Sequence, residues 1–129
     1  MKIFGVGADI VKIKRIKKSL KKKALVKRLF NKEEIFKCSK IKNSANCFAK
    51  RFAAKEAFVK SIGTGFRDNI NFNDIEIYNN KKGSPKIKIS QKIKDILKKN
   101  FKLKNYDIHL SLSDEKNHSI AFVILNRKK

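Results

Sequence analysis

The sequence predicts an α+β domain in which a mostly antiparallel sheet packs on one long helix. Two observations predict it. Helical apolar spacing dominates the first half and is longest from Ala45 to Ile62. Strand-like alternation dominates the second half. With 129 residues the chain suits one domain with its own core and is too short for two of ordinary size. One Pro, five scattered Gly and no internal repeat give no domain boundary, so residues 1–129 are read as a single unit.

Ile3 to Ala8 is a short apolar run and reads as a strand. From Ile10 the spacing turns helical, with Ile13, Ile16 and Leu20 on one face. Leu25, Val26, Leu29 and Phe30 form a second apolar stripe. Asn31 followed by Glu34 has the form of a capping box and starts another short helix. Asn43 or Ser44 caps the long helix, whose apolar face is Phe48, Phe52, Val59 and Ile62, and Gly63 ends it. Asp74–Tyr78 and Lys86–Ile89 alternate across the loop Asn79–Pro85 and predict a hairpin. Ser90 caps a helix carrying Ile93, Ile96 and Leu97. Ile108 to Ser113 alternates strictly, Asp114 to Asn117 turns the chain, and Ser119 to Leu125 is apolar enough for a central strand.

Lys plus Arg number 34 and Asp plus Glu 11, a net charge of +23. That excludes a cationic partner and leaves acidic proteins, nucleic acids, phosphorylated metabolites or anionic membranes. The charge has a second source: only five of the basic residues are Arg, and abundant Lys, Ile, Asn and Phe all have AT-rich codons. Cys38 and Cys47 make neither a disulfide framework nor a zinc site, and read as inert, half-buried thiols of a reduced, cytoplasmic protein. The first residues lack the pattern of a signal peptide, and no apolar run approaches the ~20 residues of a membrane span.

Several residues carry candidate chemistry. Asp9 follows an apolar strand where the reading places a helix start, so it either caps that helix or serves a site at the strand end. Facing Glu56, it would form a pair of carboxylates suited to a hard cation such as Mg²⁺, with open positions for phosphate oxygens. On the long helix Arg51 and Lys55 are four apart, a like-charge pair that costs roughly 0.2–0.5 kcal/mol unless an anion lies between them. Glu56 and Lys60 are also four apart and can pair. His109, Ser111 and Ser113 share one strand face opposite Ile108, Leu110 and Leu112. Gly63 and Gly65 either expose backbone N–H groups to a phosphate or cap the helix and turn the chain.

These pieces stand in a characteristic order. Gly5-Val-Gly-Ala-Asp9-Ile-Val, Arg51-Phe-Ala-Ala-Lys55-Glu56-Ala-Phe58, Lys60 before Gly63-Thr-Gly65, and His109-Leu-Ser-Leu-Ser113 together resemble holo-acyl-carrier-protein synthase. This is the short bacterial type of 4′-phosphopantetheinyl transferase, and the resemblance spans nearly the whole chain. It implies that family's fold and its reaction, transfer of phosphopantetheine from coenzyme A to a serine of apo-acyl-carrier protein in fatty acid biosynthesis. It implies Asp9 and Glu56 as Mg²⁺ ligands, Glu56 as candidate base, and Lys60 and Lys55 as neutralisers of phosphate charge. Arg51, His109, Gly63, Gly65, Ser84 and Pro85 fall at coenzyme A positions. It further implies a homotrimer with sites at subunit contacts, and an acidic carrier protein met by Arg15, Lys18 and Lys22. Two departures stand out: Gly83-Ser84-Pro85 replaces the family's Gly-Lys-Pro, and Asp114 replaces a common His.

A small basic RNA-binding module is the competing class, supported by the charge and ten Phe. Phe30, Phe48 and Phe52 fall on core spacings, however, and no RNA-recognition signature is present. A non-catalytic trimeric scaffold leaves Asp9 with Glu56 unexplained. The expected partners therefore include neither nucleic acid nor membrane.

Overall fold

The computed structural model describes residues 2–67 and 69–129. The chain runs β1 (Lys2–Lys12), α1 (Ile13–Ser19), α2 (Lys23–Leu29), α3 (Lys32–Ser39), α4 (Ser44–Ile62), a 3₁₀ turn (Phe72–Asp74), β2 (Ile75–Asn79), β3 (Pro85–Ile89), α5 (Gln91–Phe101), β4 (Tyr106–Asp114) and β5 (His118–Arg127). β1, β5 and β4 form an antiparallel three-stranded sheet with β5 in the centre, while β2 and β3 form a separate hairpin. The α+β architecture and the central place of the Ser119–Leu125 run match the sequence reading.

The sheet's inner face is set by register. Ala121, Val123 and Leu125 on β5 are opposite Leu112, Leu110 and Ile108 on β4, and α4 packs over them. Helix α4 is enclosed on most sides. Its predicted apolar face is buried, and so are Ala49, Ala53, Ala54 and Ala57. The alanines let β1 come close on one side and α3 with β2 on another.

The first strand is longer than its apolar run suggests. Ile10, Val11 and Lys12 continue to pair with Ile120, Ser119 and His118, and helix starts only at Ile13. Asp9 therefore lies within a strand and caps nothing. The partner strand decides this: in–out alternation persists through exposed Ile10 and buried Val11. The local end signals fared better. Asn31 and Glu34 form a reciprocal capping box, the Ser90 hydroxyl accepts from the N–H of Ile93, and Gly63 ends α4 in the left-handed conformation at φ +80°. The side chain of Asn43, at the N-cap position of α4, makes no capping bond.

The cysteine reading is corrected. Cys38 and Cys47 are both buried and joined in a disulfide that ties the end of α3 to the first turns of α4. They are neither half-buried nor free. The short α3–α4 connection brings their Cα atoms to 5.4 Å, which sequence spacing alone does not reveal.

Two glycines fix the contact between β1 and α4. A Cβ on Gly7 would overlap the carbonyl oxygen of Ala57, and one on Gly5 that of Ser61. Backbone meets backbone here, so neither position has room for a side chain. Gly7→Ala is expected to lower stability by about 3 kcal/mol or more, the upper range for overpacking, measured by urea unfolding. Stability within about 0.5 kcal/mol of the parent would disprove the tight contact.

Candidate active site

The β1–α4 contact brings together residues far apart in sequence. Asp9 projects from the inner face of β1, since its register partner is buried Ala121. Glu56 and Lys60, one turn apart, lie on the side of α4 that meets it. The ammonium of Lys60 donates to Asp9 Oδ1 and to the carbonyl oxygen of Ala8, both at 3.0 Å. The expected i,i+4 pairing of Lys60 with Glu56 thus gives way to a bond across to the strand. Burial raises the pKa of the Glu56 carboxyl, and the Asp9 charge raises it further, against the opposing pull of Lys60 and Arg15. Arg15 lies 5.7 Å from the centre of the Phe52 ring, one turn of α4 before Glu56.

This donor set suits a hard divalent ion. Two carboxylates repel each other in a half-buried setting and already draw a cation, Lys60, to one of them. Among the described residues no group of three or more His, Cys, Asp or Glu is placed to form an all-protein cage. A carboxylate pair with remaining positions open is how Mg²⁺ is held when phosphate oxygens complete its shell.

A second feature lies at the other end of α4. The Arg51 side chain is buried, donating from one terminal nitrogen to Cys47 O at 3.4 Å and Cys47 Sγ at 3.2 Å, and from the other to Asn79 Oδ1 at 3.3 Å. Its Nε has no partner among the described residues. Burial lowers the guanidinium pKa, and the charge of Glu34 opposes that shift. Beside it opens a cleft of about 540 Å³, lined among others by Asn46, Lys50, Asn79, Asn80, Lys81 and Gly83. Ser84 and Pro85 shape the hairpin loop at its edge: the Ser84 N–H donates to Asn80 Oδ1, and Pro85 pairs with Asn79. The sequence reading missed Lys50, Asn79, Asn80 and Lys81. The dense polar loop between two strands was the available signal.

Lys55 does not reach a phosphate site. Its ammonium is fully buried and donates to Glu34 Oε1 at 2.6 Å and to the carbonyl oxygen of Leu29 at 2.7 Å. Desolvation lowers its pKa, and Glu34 pulls it back. Glu34 also accepts from the N–H of Asn31 and, at 3.0 Å, of Ile77. The anion expected near the Arg51–Lys55 pair is thus an internal carboxylate.

The remaining candidates are dispersed. The Gly63 N–H is committed to the carbonyls of Val59 and Lys60, as in a helix cap, so it does not point to a phosphate. Gly65, with φ +62°, continues the turn. Arg15, Lys18 and Lys22 are exposed on and after α1. His109, Ser111 and Ser113 do share one exposed face, as alternation requires. Their register partners are Ile124, Phe122 and Ile120, which pair in turn with Val6, Ala8 and Ile10. That face is opposite the one bearing Asp9, so one chain alone does not bring His109 to Asp9 and Glu56.

Comparison with known proteins agrees with this geometry. Residues 5–123 match the family model described as the 4′-phosphopantetheinyl transferase superfamily. A holo-[acyl-carrier-protein] synthase of Pelagibacter ubique is 52% identical over 128 residues, covering 99% of this chain and 100% of that protein. The crystal structure of the Neisseria meningitidis holo-[acyl-carrier-protein] synthase superposes with a TM-score of 0.86 at 35% identity, over 97% of this chain and 99% of that one. The Bacillus anthracis enzyme, solved in complex with CoA (3′,5′-ADP), gives 0.82 at 31% identity over 99% and 100%. Fold, motif order and relatives agree, and the chain belongs to the 4′-phosphopantetheinyl transferase superfamily.

Proposed function

We propose that this chain is a Mg²⁺-dependent holo-acyl-carrier-protein synthase, acting as one transferase domain over residues 1–129. It moves 4′-phosphopantetheine from coenzyme A to a serine hydroxyl of apo-acyl-carrier protein and releases adenosine 3′,5′-bisphosphate. The observation that carries the reading is the meeting of Asp9, Glu56 and Lys60 across the β1–α4 contact. The relatives named holo-[acyl-carrier-protein] synthase supply the substrate class.

Asp9 and Glu56 would hold the metal. When bound, Mg²⁺ neutralises charge on the attacked phosphoryl group and on the departing phosphate. Lys60, freed from Asp9, supplies a second positive charge to the same oxygens. Glu56, directly or through a metal-bound water, is the candidate to take the serine proton. Arg51, buried at the edge of a polar cleft, is suited to the nucleotide phosphates, with the hairpin loop that carries Ser84 and Pro85 beside it. Arg15, the exposed guanidinium nearest Glu56, is suited to a carboxylate of the acidic carrier, and Lys18 and Lys22 extend that charge.

The assembly is a homotrimer closed over the outer sheet face. Val6, Ile10, Ile120 and Phe122 are exposed at 53, 61, 44 and 42% on that face. A contiguous apolar patch of this kind marks an interface. Burying it against a second copy carries His109 toward a neighbour's coenzyme A. The setting is cytoplasmic fatty acid biosynthesis; none of the helices among the described residues is long and apolar enough to cross a membrane.

Incubating apo-carrier protein with coenzyme A and Mg²⁺ is expected to add one phosphopantetheine by mass spectrometry. Asp9→Ala and Glu56→Ala should each lower the rate by at least about a hundredfold, the scale of several kcal/mol of charge stabilisation. The double variant should be little worse, because both carboxylates serve one ion. Full transfer by either single variant removes this mechanism.

The repulsion at Glu56 has a signature in the metal-free protein. Its folded pKa is raised, so the folded state binds a proton more tightly than the unfolded one, and stability falls as pH rises through that window. Glu56→Gln should therefore melt above the parent at neutral pH. The gap should close as pH falls below the ordinary glutamate value. A lower Tm for Glu56→Gln at neutral pH contradicts the assigned repulsion.

For assembly, sedimentation at micromolar concentration and physiological salt should give three times the chain mass. Phe122→Glu should give monomers with native circular dichroism. A parent chain that sediments as a monomer rules out the shared site.

A further inference from the structure

We propose that Cys38 and Cys47 form a reversible dithiol–disulfide site that sets how strongly Arg51 is available to an anion in the adjoining cleft. The link to coenzyme A rests on the nucleotide reading of that cleft given above; the redox chemistry of the pair does not.

Three observations converge on Cys47. Its sulfur is held in the disulfide, yet Cys47 also lines the polar cleft, whereas Cys38 is wholly enclosed. An Arg51 terminal nitrogen lies 3.2 Å from Cys47 Sγ, and the Arg51 Nε is buried with no partner among the described residues. Cys47 also sits in the opening turns of α4, where helix N–H groups favour negative charge. A neighbouring guanidinium and a helix start both favour the thiolate form of a released Cys47 sulfur.

The exchange is balanced with a dithiol reductant. One thiolate of the reductant attacks Cys47 Sγ, the sulfur of the residue that lines the cleft. The S–S bond breaks, and Cys38 leaves as a thiolate and takes up a proton. The reductant's second thiol then displaces Cys47, closing the reductant's own disulfide. Two electrons pass to the protein, and Cys47 is left as a thiolate beside Arg51. In the oxidised form the guanidinium faces a neutral sulfur, a weak acceptor, and its charge is open to a phosphate. In the reduced form the thiolate takes a charge-assisted hydrogen bond from the same nitrogen and competes for it. Disulfides in reducing compartments are typically transient or redox-sensing, which fits a pair placed against a ligand-binding arginine.

The test uses the full chain and adenosine 3′,5′-bisphosphate as probe. Protein purified without reductant should resist alkylation under denaturing conditions, and should take two alkyl groups after dithiothreitol. Reduction should weaken probe binding by about tenfold in calorimetry, the loss of one charge-assisted contact. Two variants separate charge from simple tethering. Cys38→Ser keeps the Cys47 thiolate and should bind like the reduced protein. Cys47→Ser removes both bridge and thiolate and should bind like the oxidised protein. Equal weakening in both variants means that the bridge acts only as a staple and overturns the proposal, as does equal affinity in all forms. If no form binds the probe, the nucleotide reading fails. The pair is then decided by thiolate absorbance of Cys38→Ser: a pKa well below 8.5 upholds the poised thiol, and an ordinary one overturns it.

Discussion

The backbone contact between β1 and α4 is the constraint on which the rest of the structure depends. Gly5 and Gly7 press against the carbonyls of Ser61 and Ala57, and no Cβ fits between them. That approach fixes the spacing between strand and helix. Asp9, two residues beyond Gly7, then lies within reach of Lys60, one turn after Glu56. Rigid elements place all three polar groups, which holds their geometry more narrowly than loops would. The two carboxylates are kept near each other by packing, not by mutual attraction, and their repulsion persists because the fold over-determines their positions.

The surplus of positive charge divides into unlike populations. Most lysines are solvated and contribute to the long-range field without a specific partner. Three cations on α4 differ from them. Lys55 is sealed inside with Glu34, Arg51 is buried beside a polar cleft, and Lys60 bridges to the strand. Arg51 and Lys55 share one side of the helix and Lys60 lies on another, so α4 joins the carboxylate site, the cleft and the internal ion pair in one rod. Arg15 adds a fourth cation from α1, resting near Phe52, whose ring stacks on Phe72.

Features set by a few neighbouring residues were legible in the sequence. The Asn31–Glu34 box, the Ser90 cap, the Gly63 stop and the alternation of His109, Ser111 and Ser113 each depend on contacts within one turn or one strand. Features set by a distant partner were not. The length of β1 is decided by β5, so Asp9 was read as ending a strand that continues through Lys12. Lys55 meets Glu34 across 21 residues, and helical spacing alone assigns it to solvent. The disulfide likewise follows from how α3 and α4 meet. Asp9 and Glu56 were legible as a pair through motif order. Their separation from His109 by the thickness of the sheet becomes visible only with the register of β4 on β5.

The ion pair between Glu34 and Lys55 also shapes how the sequence can vary. Both side chains are fully enclosed, and Glu34 holds two backbone N–H groups besides the ammonium. Losing either charge alone strands the other in a dry interior, a loss of about 3–5 kcal/mol, whereas exchanging both for matched apolar residues can be neutral. The stability of a whole domain is only about 5–15 kcal/mol. Every single-step mutational path away from this pair therefore crosses a deep trough of fitness. The two positions are free to drift only together, and the Asn31 and Ile77 N–H groups would still need an acceptor. The pair thus acts as an evolutionary latch, holding α3, α4 and the hairpin in one arrangement.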